Sequence, residues 1–158
     1  MNYGLLAFDA LKQVFNIFCR VSVTEHTCSR VNFNQISDWL DCTSLIQLQG
    51  SSVYYLLSVS ADLGFLKEAY LRMFSETVYE VSPETADLLG EICNQVAGKI
   101  KTTLSSENHT FDMASPVVVI GQNVKVRNLS EIEGELFELM FDFGRAFFFV
   151  HWKELKKP

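Results

Sequence analysis

The sequence predicts a mixed α/β fold of the α+β type, in which antiparallel hairpins build a sheet packed against long helices. Three observations carry this reading. Apolar residues recur at three- and four-residue steps in three segments, and β-rich runs come in pairs separated by short turn-forming breaks. Ser82-Pro83-Glu84-Thr85 is a helix start, followed by a proline-free stretch to Leu104.

The first helix runs from Tyr3 to about Arg20, where Leu5, Phe8, Leu11, Val14, Phe15 and Phe18 make an amphipathic pattern. Val21 to about Glu25 alternates as a strand does. The polar stretch holding Asn32, Asn34, Ser37 and Asp38 reads as a long irregular connection. Thr43–Leu48 and Val53–Val59 then form a hairpin about Gln49-Gly50-Ser51-Ser52. A second helix covers about Ala61 to Glu76 through Leu63, Leu66, Tyr70 and Phe74. In the third, Ser82 caps and Pro83 takes the first helical position, which needs no N–H. Phe111–Met113, Val117–Ile120 and Val124–Arg127 are short strands, the last two joined by Gly121-Gln122-Asn123. The carboxyl-terminal hairpin pairs about Glu135–Phe141 with Arg145–Lys153 across Asp142, Phe143 and Gly144. Phe147, Phe148 and Phe149 mark a buried sheet surface.

A chain of 158 residues is the size of one domain, here 1–158, and buries roughly 70% of its unfolded surface on folding. With 48% hydrophobic and 20% charged residues it has the composition of a packed protein rather than a disordered one. The net charge of -6 disfavours nucleic acid and anionic membranes, which reward clustered Lys and Arg. The basic stretch Lys153–Lys157 contains Glu154 and reads as a solvated strand end. No apolar run approaches the ~20 residues of a membrane-spanning helix, and Asp9 and Lys12 interrupt any signal-peptide core. A cytoplasmic location is the expectation. Cys19, Cys28, Cys42 and Cys93 lack metal-ligand or redox spacing and read as reduced, mostly buried thiols. Among His26, His109 and His151, only His26 could share a metal with a nearby cysteine, Cys28, and no metal site is expected. The sequons Asn108-His109-Thr110 and Asn128-Leu129-Ser130 would matter only in a secreted protein.

On a wheel of about 100° per residue, Asp87, Glu91, Asn94, Gly98 and Lys101 fall within an arc of roughly 80°. Leu89, Ile92, Cys93, Val96 and Ile100 occupy the opposite side, so the helix buries that side and turns the polar stripe outward. Glu91 and Asn94, at i and i+3, offer side by side an acceptor for a cation and an amide able to orient a water. An ordinary solvated helix also carries Glu and Asn, so the pair alone leaves both readings open. Gly98 costs about 1 kcal/mol relative to alanine inside a helix, which points either to a partner approaching closely or to an internal contact.

The run Glu91-Ile92-Cys93-Asn94-Gln95-Val96-Ala97-Gly98-Lys99-Ile100-Lys101, preceded by Asp87-Leu88-Leu89-Gly90, resembles the Glu-x-x-Asn helix of the CheC, CheX and FliY phosphatases. Leu104-Ser105, Phe111 and Ser115-Pro116-Val117-Val118-Val119-Ile120-Gly121 extend the match, which is strongest from about Glu84 to Gly121. One Glu-x-x-Asn site in a short chain is most similar to the CheX type. The resemblance implies acceleration of aspartyl-phosphate hydrolysis on a CheY-type receiver domain. Asn94 would position the attacking water and Glu91 would contact the receiver's lysine, with Asp87, Gln95, Gly98 and Lys101 in receiver binding. It implies no cofactor of the chain's own, Mg²⁺ on the partner receiver, and a homodimer joined through a sheet edge exposed by the carboxyl-terminal hairpin. A non-catalytic adaptor using the same face is the alternative. Gln95 and Lys99 depart from the family pattern, where apolar and small polar residues are more usual.

Asp9-x-Leu11-x-Gln13-Val14-x-Asn16 parallels Asp87-x-Leu89-x-Glu91-Ile92-x-Asn94, each helix being followed by paired strands. This internal repeat matches the pseudo-duplicated fold of the family. Gln13 replaces the acid, Phe15 stands for Cys93 and Arg20 for Gly98, which makes Gln13 and Asn16 a degenerate second site.

Overall fold

Strand pairing sets the architecture. A computed structural model describes residues 1–105 and 110–155; Asn108 and His109 of the first sequon, and Lys156 and Lys157 of the basic stretch, lie outside the described residues. In chain order the elements are α1 (Tyr3–Ile17), β1 (Glu25–Asn32), β2 (Cys42–Gly50), β3 (Val53–Ala61), α2 (Leu63–Phe74), α3 (Pro83–Ser105), β4 (Phe111–Met113), β5 (Val117–Ile120), β6 (Glu133–Phe141) and β7 (Gly144–Glu154), with a 3-10 turn at Phe33–Gln35. The strands form one antiparallel sheet in the order β1-β6-β7-β3-β2-β4, and β5 pairs with β2 beside β4. This is the α+β arrangement of hairpins and long helices that the sequence predicts.

Period-two alternation sends successive side chains of each strand to opposite faces. Tyr55, Leu57 and Val59 of β3, with Phe148 and Val150 of β7, join Leu11, Phe15, Leu89, Ile92 and Val96 in the helix-side core. Leu56, Phe147 and Phe149 point the other way, into a second cluster with Phe33, Ile36, Trp39, Leu40 and Ile132. The Phe147-Phe148-Phe149 run is therefore buried on both faces. The segment after β1, unreadable as sequence, is the cover for the second face: Phe33 is 1% exposed and meets Phe149 with ring centroids 5.1 Å apart.

Four expectations need correction. Val21–Glu25 is not a strand; β1 begins at Glu25 and takes over the first part of the expected connection, up to Asn32. Glu25 to Arg30 are all exposed, so β1 has no apolar alternation to read and owes its conformation to the ladder it forms with β6. Val124–Arg127 is not a strand either. It is tied down by side chains instead, Asn34 Oδ1 accepting from the Asn128 N–H at 2.8 Å and Asn34 Nδ2 donating to the Asn128 carbonyl at 3.1 Å. The first helix stops at Ile17, because Arg20 takes a left-handed conformation (φ 57°) and lets the Val21 N–H return to the Phe15 carbonyl at 2.9 Å. Finally, the carboxyl-terminal hairpin exposes no edge: β6 is paired on both sides by β1 and β7, and β7 by β6 and β3. The outer strands are β1 at one side and β4 with β5 at the other.

Capping explains where α2 and α3 begin. Asp62 Oδ1 accepts from Phe65 N–H at 2.9 Å, Asp62 Oδ2 from Arg145 N–H at 3.0 Å, and Asp41 Oδ2 from Leu63 N–H at 2.8 Å. At α3, Ser82 Oγ accepts from the Thr85 N–H at 3.4 Å and Thr85 Oγ1 from the Ser82 N–H at 2.9 Å, a reciprocal cap. The second residue of α2, Gly64, lies so close to the β6–β7 turn that an added Cβ would fall onto the Phe143 carbonyl oxygen. Gly64→Ala is expected to cost about 1–3 kcal/mol, as overpacking against backbone does. Urea unfolding measures this, and an unchanged midpoint would show that helix and turn separate freely.

Candidate functional site

The polar stripe on α3 is outward-facing because the other side of the helix is anchored. Leu89, Ile92, Cys93, Val96, Ala97 and Ile100 are all 0% exposed, and each fully buried aliphatic side chain contributes about 1.5–3 kcal/mol. That burial leaves Asp87 and Glu91 exposed and Asn94, Gly98 and Lys101 half-buried on the outer surface. Cys93 sits directly behind them with its sulfur 3.9 Å from the Ser44 carbonyl oxygen. Burial pushes its thiol up to about 12, so it stays neutral and is no nucleophile. Cys19 and Cys42 are also buried, and Cys28 is exposed on β1.

Glu91 and Asn94 differ in their local bonding. Glu91 Oε1 accepts a hydrogen bond from Gln95 Nε2 at 2.7 Å. Among the described residues Asn94 has no side-chain hydrogen bond, and neither Asp87 nor Glu91 is in an ion pair. The Asn94 amide is thus available to a water or a partner, and the second Glu91 oxygen to a cation.

Gly98 resolves one of the alternatives left by the sequence. Among the described residues, no atom beyond the helix's own neighbouring backbone lies within 4 Å of the position its Cβ would occupy, so internal packing does not require the glycine. Gly90 contrasts with it: an added Cβ there would sit 3.1 Å from Val118 Cγ2, because β5 lies against the first half of α3. Gly98 opens instead onto a groove of about 480 Å³ between α1 and α3, bordered by Gln13, Val14, Ile17, Phe18, Gln95, Lys99 and Thr102. Ile17 is 78% exposed on its rim. Of the groove residues on the α1 side, the sequence reading names Gln13 as part of the degenerate second site and Val14 and Phe18 only as apolar positions of the helix, while it misses Ile17, an apolar residue off the buried stripe.

The two repeat helices are antiparallel neighbours. A second recess puts Asn2, Leu5 and Asp9 of α1 beside Thr103 at the far end of α3, while Ile17 and Phe18 border Gln95 and Gly98. Gln13 and Lys99 border both recesses, so Gln13 belongs to the same surface as the α3 stripe rather than to a remote one. Asn16 is exposed, and its Nδ2 donates to Ser22 Oγ at 3.3 Å. Arg20 lies beyond the end of α1, so the first helix lacks the turn on which Gly98 stands in the third. Asp9 is engaged by Lys12 at 2.7 Å.

Neither His26 nor His151 borders the stripe. His26 lies over the Phe8 ring with centroids 4.7 Å apart, and His151 Nδ1 is 2.7 Å from the Glu133 carbonyl oxygen. Among the described residues no three His, Cys, Asp or Glu side chains converge as a metal site, and no helix is long and apolar enough to cross a membrane.

The open space at Gly98 gives a stability prediction. Gly98→Ala is expected to stabilise the fold by about 1 kcal/mol, the helix-propensity difference with no clash to offset it. Thermal unfolding should show a higher midpoint, and a lower one would reveal a packing contact.

Comparison with known proteins agrees with this fold. A sequence model of the family described as chemotaxis phosphatase CheX matches residues 42–139, more than half of the chain. No curated protein matches it significantly. A CheC-like superfamily protein from Shewanella sp. PV-4 is 24% identical with a TM-score of 0.82, covering 97% of this chain and 99% of its own. Chemotaxis protein CheX from Vibrio vulnificus is 24% identical with a TM-score of 0.81, over 97% of this chain and 100% of its own. A similar chain occurs in the CheX-CheY-BeF3-Mg²⁺ complex from Borrelia burgdorferi, 20% identical with a TM-score of 0.75, over 97% and 99% of the two chains. The solved structures establish the fold, and the sequence match establishes that this chain belongs to the chemotaxis phosphatase CheX family.

Proposed function

We propose that this chain, acting as one domain over residues 1–158, accelerates hydrolysis of the aspartyl phosphate on a CheY-type receiver domain in the cytoplasm. The observation that carries the reading is the α3 surface, where Glu91 and an unengaged Asn94 stand beside a glycine that nothing inside the molecule requires. Membership of the CheX family supports it, as does the Borrelia burgdorferi complex, in which a CheX is bound to CheY with BeF3 and Mg²⁺. Trifluoroberyllate on an aspartate stands in for the phosphoryl group.

In the proposed reaction the Asn94 amide enters the receiver's site and holds a water in line with phosphorus. The water oxygen forms the new P–O bond, the bond to the receiver's carboxylate breaks, and inorganic phosphate leaves with the aspartate regenerated. Glu91 contacts the receiver's lysine through charge, and Asp87, Gln95, Gly98 and Lys101 line the docking surface. Positioning supplies most of such catalysis, since the transferred group carries its own charge clamp. Mg²⁺ resides on the receiver and neutralises charge on the phosphoryl oxygens. Gln13 borders this surface as a contact, and it and Asn16 are not a second catalytic pair, because α1 ends before it can offer a glycine step.

The decisive experiment follows decay of a phosphorylated CheY-type receiver alone, with this protein, and with Glu91→Ala or Asn94→Ala. Each variant should lose about 10²-fold of the acceleration, the cost of misplacing a reacting group. Undiminished hydrolysis in both would sink the assignment. Saturable binding with no change in rate would select the adaptor instead.

Copies of the chain are proposed to pair through an outer strand, β1 or β5, which carry unpaired backbone groups at the two sides of the sheet. Light scattering at micromolar concentration should give twice the chain mass, and a monomer mass would remove the homodimer.

A further inference from the structure

Of the two residues that depart from the family pattern, Gln95 is the one that touches Glu91. We infer that Gln95 is a positioning residue for the Glu91 carboxylate, an inference that rests on the hydrolytic reading of this site.

Glu91 is exposed, and a free glutamate in water samples several rotamers that a docking partner must freeze. Gln95 is one helical turn further on, where i and i+4 side chains are neighbours. Its Nε2 donates to Glu91 Oε1 at 2.7 Å, which fixes one carboxylate oxygen and leaves the other with its lone pairs free. A lysine at position 95 would reach the carboxylate equally well, but its charge would compete with the partner's cation. The neutral amide orients Glu91 without discharging it. An apolar residue there would neither hold nor neutralise the carboxylate.

Gln95 is exposed and borders the α1–α3 groove with Ile17 and Phe18, so the bond to Glu91 lies at the edge of that groove. Lys99, the next residue along that row, forms no ion pair among the described residues and leaves the amide uncontested. Gln95 thus acts through Glu91, whatever contact its outer edge makes with the receiver.

The test is a double-mutant cycle, with receiver dephosphorylation measured across a range of protein concentrations for the full chain and for Gln95→Met, Glu91→Ala and the double variant. Methionine keeps the length and removes the donor, and circular dichroism checks that the helix is intact. Gln95→Met should lower the maximal rate about two- to tenfold, the worth of one such hydrogen bond. The half-saturating concentration should change little. In the Glu91→Ala background the same substitution should have no further effect, the coupling that contact predicts. Equal losses in both backgrounds, no loss at all, or a loss confined to half-saturation would overturn the positioning role while leaving the hydrolytic activity standing. Absence of acceleration by the unmodified chain would overturn both. Binding to a receiver held in the beryllofluoride form separates a weakened complex from a slowed reaction.

Discussion

Everything on the working surface depends on how α3 is buried. The helix places Leu89, Ile92, Cys93, Val96, Ala97 and Ile100, among others, at 0% exposure against the sheet and the neighbouring helices, and no rotation about its axis would keep them there. Because successive residues turn by about 100°, fixing that apolar side fixes the direction of Asp87, Glu91, Asn94, Gly98 and Lys101 as well. A site built on such an element is held more rigidly than one on a loop, which suits the proposed chemistry, in which the placement of a water does most of the work.

The sheet makes this anchoring possible by being apolar on both faces. One face carries the three helices, and the other is closed by Phe33, Ile36, Trp39 and Leu40 together with Ile132. Such closure lets β3 and β7 be apolar at successive positions, as in Phe147-Phe148-Phe149, without exposing a hydrophobic surface. Polar groups accompany the cover: Ser60 Oγ accepts from the Leu40 N–H at 2.9 Å and lies 2.8 Å from Thr43 Oγ1. The connection that looked irregular is therefore a structural layer, packed from residues too far apart to form a periodic pattern.

Duplication and divergence are both visible in the pair α1 and α3. Their inward positions correspond, with Leu11 and Leu89, Val14 and Ile92, Phe15 and Cys93 all buried. Their outward positions have separated. α3 keeps a clear polar stripe that includes an open glycine, whereas α1 ties Asp9 to Lys12 and Asn16 to Ser22 and stops three residues before Arg20. Core positions are constrained by packing volume and tolerate only apolar exchange, while surface positions are free to change with the partner.

The sequence by itself determined what depends on neighbours a few residues apart. The three helices, the Ser82 cap, the β2–β3 and β6–β7 hairpins and the face shared by Glu91 and Asn94 all follow from periods of 3.6 and 2 and from local turn chemistry. Tertiary structure alone decided what depends on distant segments meeting. β1 is a strand because β6 is beside it, and Val124–Arg127 leads to Asn128, which is held by the side chain of Asn34 and not by a strand partner. Gly98 faces open space, Gln13 borders the α3 surface and Gln95 stands between Glu91 and α1, because two helices 78 positions apart in equivalent residues pack antiparallel. Periodicity records which side of an element is buried, but not which element buries it, and that second choice is made by the packing of the whole chain.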